Sequence, residues 1–339
     1  MKIPTKSLLA SAVILLGAAS PVFAQTTLAI SSWLPPQHAA TKALVEWAGE
    51  VEKASSGRIK HNLLAKAVSS PPATFDAIRD GLADVSWTVD GYTPQRFVLT
   101  RVAEFPFMGE TAEVNSIAYQ RIHERYLAKA NEHQGVRVLS VFSQGPTGIH
   151  TTKKAVNSAE DLQGLKFRLG GGMLGDLAKE LGITGILRPA SESYELLSGG
   201  IVDGTLQGFD GVVAFKLEKI LRYYTRFPGG MYNNAFTIFM HPARYDKLSK
   251  VDQAAIDSAS GEKLARIMGR HWNAAEDLGR QAMKDNNIAV IDADKAFLNV
   301  LREKSRVLED AWYQRAAQKG VDGKKALADL REEIRKLSK

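Results

Sequence analysis

The chain of 339 residues is 45% hydrophobic and 24% charged, contains no cysteine and carries a formal net charge of +7. That length exceeds what one hydrophobic core usually organises, so two domains are expected, and the apolar fraction excludes disorder. Without thiols there is no disulfide framework, thiolate zinc site, iron–sulfur cluster or cysteine nucleophile, and the 44 basic against 37 acidic side chains form no clustered stripe that would signal nucleic-acid binding.

The chain begins with the order of an export signal. Lys2 and Lys6 precede an apolar run from Leu8 to Ala19, and Val22 and Ala24 occupy the positions before a cleavage point. The run is shorter than the ~20 residues that span a bilayer. Residues 1–24 are therefore expected to be a signal peptide cleaved after Ala24, with an exported product. Losing Lys2 and Lys6 lowers the formal charge from +7 to +5.

Leu28 to Trp33 then reads as a strand ended by Pro35-Pro36. Ala39 to Ala54 is an amphipathic helix, with Leu44, Trp47, Ala48 and Val51 at helical spacing. Strands at Ile59–Leu64 and Asp84–Val89 flank a helix at Pro72–Gly81, a β-α-β-α-β order that implies a mainly parallel sheet. Glu113 to Ala130 reads as helix and Val136 to Phe142 as strand. A second block of the same kind starts near Gly148, with strands at Leu165–Leu169, Gly204–Gln207 and Phe236–Met240 and helices at Met173–Leu181 and Ser191–Leu197. After Pro242, the last proline, Ser249 and Asp252 mark a helix start. The pattern predicts one very long helix from there to about Asn286, followed by helices at Ala293–Gln318 and Lys324–Leu337. The fold class expected is α/β, two lobes sharing a helical tail.

Few motifs carry chemistry. Gly170, Gly172 and Gly175 spell GxGxxG between a predicted strand and helix, the setting of a dinucleotide fingerprint. The acid due ~20 residues on, to hold the ribose, falls on Glu192 at a helix start instead of a strand end. A glycine-rich strand-to-helix turn is the competing reading. The seven histidines are scattered, with no HExxH and no carboxylate placed for a metal triad, and there is no GxSxG elbow. No catalytic residue, metal site or cofactor is expected. Arg168 ends the strand Leu165–Lys166–Phe167, where strand C-termini of an open α/β sheet border a ligand crevice. Its planar fork pairs bidentately with a carboxylate, although an ordinary surface arginine fits the sequence equally well.

The run Asp161-Leu162-Gln163-Gly164-Leu165-Lys166-Phe167-Arg168, followed by SESYELLSGGIVDG from Ser191 to Gly204, resembles the hallmark of TRAP-transporter solute-binding proteins of the DctP type. Ala77-Ile78-Arg79-Asp80-Gly81-Leu82-Ala83-Asp84 fits the helix-to-strand element of the same family. The resemblance implies a two-lobed periplasmic binding protein with mixed sheets and a long connecting helix. Lobe I would comprise about residues 25–148 and 235–275, and lobe II about 149–234 and 276–339, with the ligand between them. It also implies an organic acid as ligand, membrane permease subunits as partners, a monomeric state and no enzymatic step. The family's selectivity arginine falls on Arg168 and its cleft amide on Gln207. Trp33, Trp87, Thr88, Tyr92 and Phe209 fall at or beside cleft positions, and His38 and Asn233 complete the expected set. Gly148 stands where sialic-acid binders of the family carry a second arginine, and Ala190 where others carry a bulky ring. One cation, added room and two tryptophans suit an aromatic monocarboxylate better than a compact dicarboxylate. A secreted enzyme acting on an acidic small molecule, or a ligand-sensing subunit of a membrane receptor, would use the same cleft.

Overall fold

The protein, described by a computed structural model, is defined over residues 25–339, and the expected signal peptide with its cleavage point lies outside the described residues. Two mixed sheets organise the chain. The first has strand order β2-β1-β3-β10-β4, formed by β1 (Thr26–Ile30), β2 (Ile59–Leu63), β3 (Val85–Val89), β4 (Arg137–Ser143) and β10 (Ala235–Met240). β1 runs parallel to β2 and β3, as the alternating pattern predicts, whereas β10 enters antiparallel between β3 and β4 from far along the chain. The second sheet has the order β11-β9-β5-β8-β6-β7. Its strands are β5 (Ile149–Thr151), β6 (Lys166–Leu169), β7 (Thr184–Leu187), β8 (Gly204–Thr205), β9 (Tyr223–Arg226) and β11 (Ala289–Asp292).

Helix α1 (Ala39–Ala54) buries Leu44, Trp47, Ala48 and Val51 against the first sheet, the stripe its spacing predicts. The chain leaves this lobe after β4 and returns through the β9–β10 connection, where Thr147 and Tyr232 form an isolated bridge. α3 (Ala112–Ile122) continues through one π turn at His123–Leu127, so the helical stretch extends as far as Ala130.

The long helix expected from Ser249 is in fact two. α8 (Lys250–Ala259) ends at Ser260, and α9 (Glu262–Asp285) starts afresh after Gly261. Gly261 has φ +60°, which a side-chain-bearing residue rarely adopts, and its amide donates to the Leu139 carbonyl of β4 at 2.7 Å. A tertiary hydrogen bond thus breaks a segment whose composition alone reads as continuous helix. α9 spans about 36 Å at 1.5 Å per residue. Its first half packs on α1, α3 and β4, and it also contacts α6 (Asp210–Ala214) of the second lobe.

The C-terminal helices α10 (Lys295–Gln318) and α11 (Gly323–Leu337) brace the junction. Phe297 and Trp312 join one apolar cluster with Phe167 and Leu174 from the second lobe and Tyr119 and Val141 from the first. The Trp312 indole N–H donates to the Val98 carbonyl at 2.9 Å, and α11 lies against α3 with Arg121 bridging to Glu333. Among the described residues no helix is long and apolar enough to cross a membrane.

Candidate ligand-binding site

A small cavity of about 40 Å³ lies where β3, β6, the segment after β8 and helix α9 converge. Trp33, Leu34, His38, Trp87, Val89, Tyr92, Phe236 and Trp272 face it from the first lobe and α9. Arg168, Gly170, Ala190, Gln207, Gly208, Asp210 and Phe215 face it from the second, with Gln144 just after β4 and Asn234 just before β10 on the two connecting segments. A space of this size holds a few waters, so a ring enters only as the lobes part or the tryptophans shift. A larger apolar cavity of about 420 Å³, lined by Phe209, Tyr224, Phe227 and Met283, lies elsewhere on the second lobe. The smaller one is the better candidate because buried polar groups from both lobes converge on it.

Arg168 sits at the C-terminal end of β6, where the crevice rule places it, and is only 3% exposed. Its Nε donates to the Arg188 carbonyl at 2.8 Å, which holds the guanidinium plane. Its terminal nitrogens have only long contacts, Nη1 to the Leu206 carbonyl and Gln207 Oε1 at 3.4 and 3.5 Å and Nη2 to the Tyr92 hydroxyl at 3.5 Å. No described acidic side chain pairs with it. A buried cation without a counter-charge is costly, and a bidentate anion would supply one.

Gln207 extends beside it. Its Oε1 accepts from the Ser193 hydroxyl at 2.6 Å, while its Nε2 is buried with no hydrogen-bond partner. Gln144 shows the same asymmetry, with Oε1 accepting from Asn234 Nδ2 at 3.2 Å and Nε2 unpartnered. Tyr92 projects from the end of β3 to the second lobe, where its hydroxyl accepts from the Ala190 amide at 2.9 Å. Burial pushes its phenol pKa up, partly countered by Arg168, so the hydroxyl stays neutral.

The aromatic side is built by strand alternation and by α9. Trp33 stacks on Trp87 with centroids 4.8 Å apart, Trp87 meets Trp272 edge to face at 6.2 Å, and Phe236 lies 4.9 Å from Trp272. The indole nitrogens of all three tryptophans are buried and unpartnered.

Six of the ten expected residues therefore meet: Arg168, Gln207, Trp33, Trp87, Tyr92 and His38. The structure places the other four elsewhere. Thr88 follows Trp87 on β3 and so faces the opposite side of the sheet, near Asp90 and Thr237. The Phe209 ring packs on Tyr224 with centroids 4.8 Å apart, under the Arg280 guanidinium, and lines the second cavity. Asn233 is a structural clamp. With its amide turned to match its neighbours, the nitrogen donates to the Tyr232 carbonyl at 2.8 Å and the oxygen accepts from Asn115 at 3.2 Å. Gly148 leaves no room for a ring, since a Cβ there would fall 2.0 Å from the Thr225 carbonyl oxygen. Glycine is required at that position by the close approach of β9. Ala190, expected to keep the cleft open, does line it.

Sequence reasoning missed Asp210, Gln144, Asn234, Trp272, Phe236 and Phe215. The strand-end rule could have found Gln144, the residue after β4. Nothing local marks Trp272, which the fold of α9 brings in.

The GxGxxG turn has a different fate from a nucleotide loop. The Met173 amide at the start of α4 (Met173–Glu180) donates to Glu104 Oε2 at 2.7 Å, and Ala235 donates to Oε1 at 3.2 Å. The Glu104 carboxylate thus takes the donor a pyrophosphate would need. Burial raises its pKa, while those amides and Arg101 oppose the rise. Gly171, at φ +81°, lies so close to Gly91 that a Cβ would fall 2.2 Å from the Gly91 carbonyl oxygen. The glycines make a backbone seam between the lobes. Behind the cleft, Glu276 of α9 accepts from the Gly145 amide at 2.8 Å, and burial pushes its pKa up to about 7 despite Arg280. Among the described residues no three metal-ligating side chains cluster.

A cleft between two mixed α/β lobes, with a buried arginine on one side and rings on the other, defines a solute-binding protein. The comparisons specify it further: the sequence profile described as bacterial extracellular solute-binding protein, family 7 (DctP) matches residues 30–316, and the chain belongs to that family. It is similar to a TRAP periplasmic solute-binding protein from Bordetella bronchiseptica solved with bound (R)- and (S)-mandelate, at 43% identity and TM-score 0.90, covering 92% of this chain and 99% of that one. It is also similar to a TRAP solute-binding protein from Rhodoferax ferrireducens in complex with copurified benzoate, at 29% identity and TM-score 0.84, covering 93% and 99%. A Comamonas testosteroni protein described as the outer membrane transporter protein TsaT is 30% identical over 91% of this chain and 93% of its own length.

Proposed function

We propose that the protein captures an aromatic monocarboxylate in the periplasm and delivers it unchanged to the membrane subunits of a TRAP transporter. The observation that carries this reading is Arg168, buried, oriented by the Arg188 carbonyl and lacking an acidic partner among the described residues, beside a cage of stacked tryptophans. The bidentate fork suits one carboxylate, and the Trp33–Trp87–Trp272 faces suit a planar apolar body. Mandelate, 3-hydroxybenzoate and benzoate in similar solved proteins support the same ligand class. Contacts from both lobes form together only when the lobes close, so ligand binding shifts the population to the closed shape that a permease would recognise. Membership of a solute-binding family, and likeness to solved solute-binding proteins, supports capture without chemistry.

A thermal-shift and calorimetric panel tests the ligand class. Benzoate and mandelate at a hundredfold excess over Kd are expected to add about 2.7 kcal/mol, a shift of a few degrees. Succinate and glucuronate are expected to leave the melting temperature unchanged. Stabilisation by the C4 or sugar acids alone overturns the reading.

A further inference from the structure

Asp210 is out of place in a cleft built for an anion. It opens α6 on the second lobe, only 11% of its side chain is exposed, and it lines the same cavity as Arg168. Among the described residues its carboxylate makes no hydrogen bond, and its one ion-pair neighbour is His38, whose Nε2 lies 3.6 Å from Oδ2, just beyond hydrogen-bond reach. His38 caps α1 on the opposite lobe, and its Nδ1 accepts from the Ala40 amide at 3.1 Å. A ring nitrogen that accepts carries no proton, which places the ring's N–H on Nε2, the nitrogen nearer Asp210. Edge-on contact with Trp272, centroids 5.7 Å apart, fixes the ring in that orientation. The segment 207–210 therefore presents two opposite demands within three residues. Gln207 stands beside a cation that needs an acceptor, and Asp210 is an acceptor that needs a donor.

We infer that Asp210, with His38 beside it, is the specificity element of the cleft. It accepts a hydrogen bond from a hydroxyl on the ligand and rejects a second carboxylate. This assignment rests on the aromatic-monocarboxylate reading and narrows it. A carboxylate has acceptors only, so a ligand hydroxyl satisfies it, a hydrogen at the same place keeps water from a largely enclosed acceptor without replacing it, and an added carboxylate meets like charge. Such a site discriminates by repulsion as well as attraction.

The test uses two matched series on the intact protein by isothermal titration. One is phenylacetate, mandelate and phenylmalonate, and the other is benzoate, 3-hydroxybenzoate and isophthalate. The wild type is expected to favour the hydroxylated member of at least one series over its plain parent by about 10- to 100-fold, and to bind the diacid more weakly than the parent. Asp210→Ala removes the acceptor and is expected to collapse the hydroxyl-to-parent ratio towards one. Asp210→Asn removes the charge but keeps an acceptor oxygen, so it is expected to raise the diacid-to-parent ratio at least tenfold while retaining part of the hydroxyl preference. An unchanged hydroxyl ratio in Asp210→Ala overturns the assignment, as does an equal loss for all six ligands in both variants, which would make Asp210 only a contact between lobes. A wild type that binds none of the six defeats the underlying reading and the assignment with it. Selective wild-type binding with ratios indifferent to Asp210 defeats the assignment alone.

Discussion

The two walls of the cleft are held together differently. From the first lobe and α9 come Trp33, Trp87, Phe236 and Trp272, rings that stack on one another and belong to a continuous apolar cluster with Trp47 and Ile238. From the second come Arg168, Gln207 and Asp210, polar groups that line the cavity with bonding capacity their own lobe leaves unused. The aromatic wall is stabilised by its own packing whether or not anything is bound. The polar wall is anchored within its lobe through Arg188 and Ser193 but leaves Gln207 Nε2 unpartnered and the Arg168 Nη atoms at long contacts, so further partners must come from a ligand or the opposite lobe. On the proposed function, affinity for an acid and preference for a ring become separable properties, carried by different lobes and joined on closure.

The strongest challenge to that division is Arg168→Ala. Removing one partner of a buried charge pair costs about 2–5 kcal/mol of binding, so affinity for every carboxylate is expected to fall by at least about thirtyfold. The apo protein should not lose stability, because the variant relieves a buried cation that has no acidic partner. Calorimetry and thermal melts of the same sample check both halves. Unchanged affinity would move the anion seat away from β6, and a large drop in apo melting temperature would make Arg168 structural.

Trp33→Ala probes the other wall with a smaller effect. Trp33 packs at the edge of its cluster and is only partly buried, whereas Trp87 is fully enclosed on β3. Truncation at Trp33 is expected to cost about 1–3 kcal/mol of binding for a ring-bearing acid and much less for an aliphatic acid of similar charge. Titration of benzoate against a short aliphatic monocarboxylate reads the ratio. Equal losses would mean that the ring does not lie on this wall.

The same division explains how much of the molecule could be read from its sequence. The first sheet was largely legible because β1, β2 and β3 alternate with amphipathic helices, and only β10 arrives from a distance. In the second sheet β5, β7, β9 and β11 escaped notice. β7 and β11 are four residues long and almost wholly exposed, so neither alternation nor an apolar run marks them. The break at Gly261 was hidden because its cause, the bond to Leu139, is tertiary. Arg168 was legible because a strand end and a planar cation coincide there. Asp210 was passed over for its neighbour Phe209, and Asn234 for Asn233. One step along the chain turns a side chain to another face, and only the packing of Phe209 on Tyr224 and of Asn233 on Asn115 decides which neighbour is left for the cleft. Gly148 carried the opposite error. Absence of a side chain suggested space, yet the neighbouring strand β9 fills it.

Tyr92 belongs to both walls and so sets the finest test of the comparison. Its ring lies 6.2 Å from Trp33, while its hydroxyl reaches across to Arg168 and the Ala190 amide. Tyr92→Phe keeps the ring and deletes the reach. It leaves the Ala190 N–H without its acceptor and removes one of the groups that steady the Arg168 fork, for an expected loss of about 1–2 kcal/mol. If Tyr92 acts through Arg168, aromatic and aliphatic acids should weaken by the same factor, because both need the fork, and the benzoate-to-aliphatic ratio should stay at its wild-type value. A loss confined to aromatic acids would assign Tyr92 to the ring-binding wall. A fall in apo melting temperature with affinity intact would show that the hydroxyl serves only to hold the lobes together. Since the substitution leaves volume and apolar surface almost unchanged, any of these results is attributable to one hydroxyl group.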